Sequence, residues 1–373
     1  MSGNYFYTDK MTVGYNGHPL IREIEIRIGR GEILTLIGPN GGGKSTILKS
    51  ITRQLSLIGG TVYIDNRELQ ALSGKELSQK LAVVLTERIR TELMTCEEVV
   101  STGRYPYTGH LGILSETDHE KVYEAMELVH ALPLRNCDFN AVSDGQRQRI
   151  LLARAICQEP EMIVLDEPTS FLDIRHKLEL LTILKKLVNQ NRLAVVMSLH
   201  ELDLAQKISD FVICVKGETI DKAGTPEEVF TSAYITELYG ITAGSYDALF
   251  GSVEMEAERG EPEVFVIGGN GSGISQYRKL QRKRIPFAAG VLHKNDMDYE
   301  VAKTLAVRVV AEEPFEEISE AHYREALEIM KQCRSIICSV REFGTMNALN
   351  EKLVQEAVRM GKSVNRSIDI LHD

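Results

Sequence analysis

Glycine, lysine and hydroxyl residues stand at the spacing of a phosphate cradle in Gly38-Pro39-Asn40-Gly41-Gly42-Gly43-Lys44-Ser45. The segment fits the pattern of a glycine, any four residues, then Gly-Lys-Ser, and it lies between an apolar run, Ile33 to Ile37, and a helical run opened by Thr46. Glycines let successive backbone N–H groups turn inward around phosphate oxygens, and the helix start adds its positive end. Lys44 then reaches the β- and γ-phosphates of a nucleoside triphosphate, and Ser45 offers an oxygen to Mg²⁺.

Two further apolar runs end in polar residues. Met162 to Leu165 is followed by Asp166 and Glu167, and Leu193 to Leu199 is followed by His200. Near-continuous apolar runs read as strands of a parallel sheet covered on both faces. Ligands of such sheets gather beyond the carboxyl ends of the strands, so the glycine loop, the acids and the histidine are expected to converge. Asp166 is suited to hold Mg²⁺ through water and Glu167 to polarise an attacking water as general base. Between them, Ser143-Asp144-Gly145-Gln146 precedes a helical run, so a serine hydroxyl and backbone amides face an anion at a helix start.

Glycine loop, Ser143-Asp144-Gly145-Gln146 and Asp166-Glu167, in that order and approximate spacing, resemble the ATPase subunits of ABC transporters across roughly residues 8 to 255. Val142 and Asp144 depart from that family's usual Leu-Ser-Gly-Gly-Gln. The resemblance implies a P-loop ATPase domain with a mixed sheet core and a helical subdomain, ATP and Mg²⁺ as cofactors, and transmembrane permease subunits as partners. It implies a second copy of the chain, whose signature segment faces ATP across the dimer. It assigns Tyr15 to stacking on adenine, Asp173 to the loop crossing the dimer interface and His200 to the γ-phosphate. The family's glutamine after the third strand is here Thr86, whose reach is shorter, so either a water bridges to the metal or Glu87 substitutes. Gly103-Arg104-Tyr105-Pro106 is similar to a segment of ATPases serving importers of iron-siderophore, haem and cobalamin, where the surrounding helices form the groove for the permease. An ordinary surface loop is the alternative reading.

The elements that must position these groups form an α/β layer to residue 257, then a linker, 258–262, then a smaller α/β domain, 263–373, with strands at Val264 to Ile267, Pro286 to Leu292, Val307 to Val310 and Ile336 to Val340. A parallel sheet is expected there. Its opening, Gly268-Gly269-Asn270-Gly271-Ser272-Gly273-Ile274, echoes the first glycine loop without the lysine. Hydrolysis is not expected there, and the choice is between a backbone nest for a small anionic or polar ligand and a tight strand-to-helix turn. A regulatory role for this domain follows as an expectation. The basic stretch Arg278 to Arg284 reads as a solvated face or a surface for anionic lipid.

A net charge of −10 disfavours nucleic acid as partner. Together with the lack of a long coiled-coil insertion or second cassette, it disfavours an ABC ATPase of DNA or ribosomes. A non-hydrolysing sensor is a third reading, supported by Thr86 and the second domain. Six cysteines without a Cys-x-x-Cys pair read as buried reduced thiols. The polar start, Met1 to Lys10, lacks the centre of a signal peptide, and with no membrane-spanning run the expected place is the cytoplasmic face of the inner membrane, held there peripherally.

Overall fold

A computed structural model describes residues 4–85, 93–109 and 112–368. The chain divides into two compact units, Met1–Tyr239 and Gly240–Asp373. The division lies earlier than the linker expected at 258–262. The reason is a hairpin, Gly244–Asp247 with Ser252–Met255, that belongs with the second unit: Arg278 forms an ion pair with Glu254, and Gln281 Nε2 donates to Met255 O at 3.1 Å.

The first unit holds two sheets. Its central one has six strands in the order Thr219–Gly224, Phe211–Lys216, Ile33–Ile37, Ala194–Ser198, Met162–Leu165 and Leu81–Val84. Pairing is parallel except at Thr219–Gly224, which makes the sheet mixed. Every residue of Ile33–Ile37, Met162–Leu165 and Ala194–Ser198 is buried, as the near-continuous apolar runs require. A second, antiparallel sheet is built on Phe6–Tyr15, flanked by His18–Ile24 and Gly59–Ile64.

Helices Cys96–Ser101, Glu116–Leu128 and Asp144–Cys157 pack together as a helical layer, each begun by a reciprocal capping box: Thr95 with Glu98, Ser115 with Asp118, Ser143 with Gln146. Arg104 lies buried among them. Its guanidinium pairs with Asp118 at 2.9 Å and Glu159 at 2.8 Å and donates to Cys157 O at 2.8 Å. A Cβ on Gly103 would stand 2.4 Å from Arg154 O. Gly103 and Arg104 therefore close the helical layer rather than form a surface loop, and of this segment Tyr105 reaches solvent.

Hydrogen bonds from the Ser115 side chain and backbone, then Arg104, hold the Asp118 carboxyl down at about 2, below its usual range. A depressed carboxyl stabilises the fold fully above its unfolded value, near 4, and loses that contribution as pH falls through about 2. We expect the unfolding free energy from urea titrations to drop between pH 5 and pH 2.5, by on the order of 2 kcal/mol from this group. Arg104→Ala, which strands a buried carboxylate, should cost about 3–5 kcal/mol at neutral pH, read by the same titration.

The second unit is a parallel sheet in the order Arg308–Glu312, Phe287–His293, Val264–Ile267, Ser335–Cys338, Val364–Asn365. The last strand went unseen in the sequence because two residues carry no period. Among the cysteines, five are buried as expected, but Cys137 is exposed. Among the described residues, no helix is long and apolar enough to cross a membrane.

Candidate nucleotide site

The glycine loop leaves Ile33–Ile37 at the carboxyl edge of the central sheet and runs into the helix Lys44–Ile51. Gly38 and Gly43 are sterically required: φ is 139° and 92°, and added Cβ atoms would meet Val215 O at 2.2 Å and Ile21 Cδ1 at 2.6 Å. No side chain caps the helix start, which leaves the first-turn amides available to an anion. Lys44 Nζ donates to Gly38 O at 2.7 Å and Pro39 O at 3.1 Å, so the ammonium is folded back over its own loop. Burial lowers its pKa, opposed by the charges of Glu167 and Asp166. Tyr239, absent from the sequence expectations, accepts from Gly38 N–H at 3.0 Å and pins the loop's entry; no local pattern marks it.

Asp166 and Glu167 follow Met162–Leu165, which lies beyond Ala194–Ser198 from the loop's own strand, and they are tied together by Ser198 of the strand between. Its hydroxyl donates to Asp166 Oδ1 at 2.7 Å and accepts from Glu167 N–H at 2.9 Å. Glu167 sits at φ 47°, a left-handed conformation uncommon for a side-chain-bearing residue, which turns its carboxylate out of the strand line. That carboxylate accepts from Ser170 Oγ at 3.1 Å and is hydrogen-bonded to His200 Nε2. Thr169 and Lys177 both engage Glu201, bracing the turn that carries His200.

Ser198 was legible only as a polar residue ending an apolar strand. Its alanine variant removes the bridge and leaves the Glu167 amide without its partner. On the sequence expectation that Glu167 is a general base for ATP hydrolysis, steady-state turnover should fall about 10- to 100-fold with a smaller change in ATP affinity, since a displaced base costs rate before binding.

One cavity of about 410 Å³ is lined by Tyr15, Asn40, Gly41, Gly42, Gly43, Lys44, Ser45, Thr46, Glu167 and His200. Tyr15 is half exposed, and its hydroxyl is hydrogen-bonded to Thr46 Oγ1 at 3.1 Å. Asp166 is buried behind this surface, and Gly38 and Pro39 contribute the carbonyls that Lys44 holds.

Ser143, Asp144, Gly145, Gln146 and Asp173 do not line that cavity. Ser143 caps the helix Asp144–Cys157, its Oγ accepting from Gln146 N–H at 3.3 Å while Gln146 Oε1 accepts from Ser143 N–H at 2.9 Å. The Ser143 hydroxyl hydrogen stays available to an anion. Asp144, the departure from the family pattern, is ion-paired with Arg147 at 2.7 Å. Asp173 caps the helix Ile174–Asn191 through His176 N–H at 3.0 Å. Thr86 and Glu87 lie outside the described residues.

The glycine echo in the second unit is filled by the protein itself. Asp298, fully buried, accepts from Gly273 N–H and Ile274 N–H at 3.0 Å each, and from Gly269 N–H at 2.5 Å. Of the two readings, a nest for an external ligand and a strand-to-helix turn, the structure has the turn, its amides meeting an internal carboxylate. In the basic stretch, Arg278 is engaged by Glu254, and Arg282, Lys283 and Arg284 are exposed.

A family model described as ABC transporter matches residues 21–170, and one described as the MJ0874 family matches residues 287–367. An ABC transporter ATP-binding protein of Methanocaldococcus jannaschii is 40% identical over 286 residues, 76% of this chain and 99% of that protein. The iron(3+)-hydroxamate import ATP-binding protein of Bacillus subtilis is 34% identical over 240 residues, 64% of this chain and 89% of that protein. A solved dimeric post-hydrolysis state of an ATP-binding cassette bound to ADP and Pi has a TM-score of 0.53 at 25% identity, covering 59% of this chain and 98% of that one. A glycine loop, two acids and a histidine on one carboxyl edge of a mixed sheet go with this likeness, and the chain belongs to the ATP-binding proteins of ABC transporters.

Proposed function

We propose that this chain binds and hydrolyses ATP to power import of a metal chelate through a transmembrane permease, working as a head-to-tail pair of cassettes. The observation that carries this reading is the split between two half-sites. Lys44, Ser45, Glu167 and His200 surround one cavity, whereas Ser143 and Gly145 stand at a helix start away from it. A second copy related by twofold symmetry would bring the missing half to each ATP.

In this scheme Tyr15 stacks on adenine, the amides of the loop Gly38 to Thr46 cradle the phosphates, and Lys44 leaves its own carbonyls for the β- and γ-oxygens. Glu167 takes the proton of a water attacking the γ-phosphorus as the bond to ADP breaks, with His200 fixing the carboxylate and contacting the γ-phosphate. Ser143 and Gly145 of the opposite copy close the site, and Asp173 crosses between the two. The donor set suits Mg²⁺: Ser45 lines the cavity, and the Asp166 carboxylate is buried and oriented by Ser198. When bound, the ion neutralises charge developing on the phosphate oxygens. Hydrolysis separates the pair and resets the permease.

Iron chelates are favoured as cargo class by the iron(3+)-hydroxamate relative and by Gly103-Arg104-Tyr105-Pro106. The test is affinity purification of the tagged chain from native membranes in mild detergent. A co-purifying permease that stimulates its ATPase activity is the expected result; a ribosome or DNA as the stoichiometric partner would replace the reading. The second unit is assigned a regulatory part in the same scheme.

A further inference from the structure

The second unit carries a hollow of about 610 Å³ that the nucleotide site does not use. It lies at the carboxyl ends of the parallel strands, among loops that follow four of them: Asn270 after Val264–Ile267, Asp296 and Met297 after Phe287–His293, Phe315 after Arg308–Glu312, and Met346 after Ser335–Cys338. The chain runs outward from the middle strand to one edge, then crosses to the other side of it, so the connections after Val264–Ile267 and Ser335–Cys338 leave in opposite directions. Such a reversal opens a crevice suited to ligands.

Three observations restrict the occupant. First, it bears no phosphate. The amides of Gly269, Gly273 and Ile274 are taken by Asp298 and that of Asn270 by Asp296, and among the described residues lining the hollow there is no lysine or arginine, while Asp296 would repel an anion. Second, it offers a flat apolar face. Phe315 is 79% exposed at the rim, with Met297 and Met346 also open to solvent. An exposed aromatic beside polarisable thioethers is suited to stacking on a ring. Third, it carries hydroxyls. Asp296 stands just past the second strand, the position from which an acid grips a ribose diol in this architecture. Its carboxylate is aimed and fixed by Asn270 N–H at 2.7 Å and Asp298 N–H at 2.9 Å, with lone pairs left on both oxygens.

We propose that this hollow is a binding site for an unphosphorylated nucleoside, its base stacked on Phe315 and its ribose diol held by Asp296. The site selects against nucleotides because the place of their phosphates is taken by Asp298. This assignment is independent of the transport reading, and its test uses no transport or hydrolysis readout.

The experiment is calorimetric titration of the full chain, with ADP and Mg²⁺ at saturation to fill the first cavity, against adenosine, guanosine, cytidine and uridine in turn. The expected result is one nucleoside bound per chain without displacement of ADP. Phe315→Ala, a substitution on an exposed side chain, should weaken it at least tenfold, and Asp296→Asn by a similar factor. The 5′-monophosphate of the same nucleoside should bind at least tenfold more weakly than the nucleoside. Binding by none of the four overturns the proposal, as does binding that Phe315→Ala leaves unchanged or a monophosphate that binds as well.

Discussion

Glu167→Gln should retain ATP binding and lose turnover by about a hundredfold to ten-thousandfold, the range by which a positioned general base contributes. The substitution keeps the shape and the acceptor oxygen but removes the basic group. Ser198 still accepts from the backbone N–H of residue 167, because that bond does not involve the side chain. His200 keeps a partner, since an amide oxygen replaces Glu167 Oε1. Bound ATP then persists, and the pair of cassettes it joins persists with it. Gel filtration with ATP and Mg²⁺ should therefore show a dimer for the variant where the parent chain returns to monomer after hydrolysis. A monomeric variant with normal turnover would remove Glu167 from the role of base and reopen the assignment of His200.

The second large effect is on binding itself. Lys44→Ala is expected to weaken ATP affinity about 10- to 100-fold by calorimetric titration, as each charge-assisted hydrogen bond to phosphate is worth about 1.5–3 kcal/mol. The buried ammonium is held by Gly38 O and Pro39 O, so it is already desolvated before nucleotide arrives and exchanges those carbonyls for phosphate oxygens. Part of the cost of organising the site is thus met in the free protein. Alanine also leaves those two carbonyls without their donor, which loosens the loop and adds to the loss. A rise in Kd with no change in melting temperature assigns the effect to the phosphates rather than to folding. If affinity is unchanged, the loop does not hold the triphosphate through this lysine.

These two experiments separate the two halves of the mechanism, since Lys44 acts on the bound ground state and Glu167 on the attacking water. Ser198 falls between them. It touches neither nucleotide nor water in the proposed scheme, yet it joins the acid suited to the ion with the acid suited to the base.

Much of the site was written in local pattern. The glycine loop needs positive φ at Gly38 and Gly43 and a helix opening at Lys44, and these are properties of a short contiguous segment. The apolar runs Met162 to Leu165 and Leu193 to Leu199, followed by Asp166 and His200, announced buried parallel strands, because such strands have no solvent face to alternate with. Capping of Asp144–Cys157 by Ser143 and Gln146 is likewise a matter of three residues in sequence.

What depended on contacts between distant segments was not legible. Tyr239 meets Gly38 across 201 positions, and Ser198 meets Asp166 and Glu167 across 32 and 31. For Gly103-Arg104 the sequence left a surface loop open as the alternative reading, which only the enclosure of Arg104 by Asp118, Cys157 and Glu159 removes. The echo at Gly268 to Gly273 has the glycines of an anion nest. Only the fold reveals that a carboxylate 25 residues beyond Gly273 already occupies it. Glycine spacing determines where amides can point, but which anion they meet is decided by packing, which here sets Asp298 against several backbone N–H groups that oppose, without cancelling, its cost of desolvation.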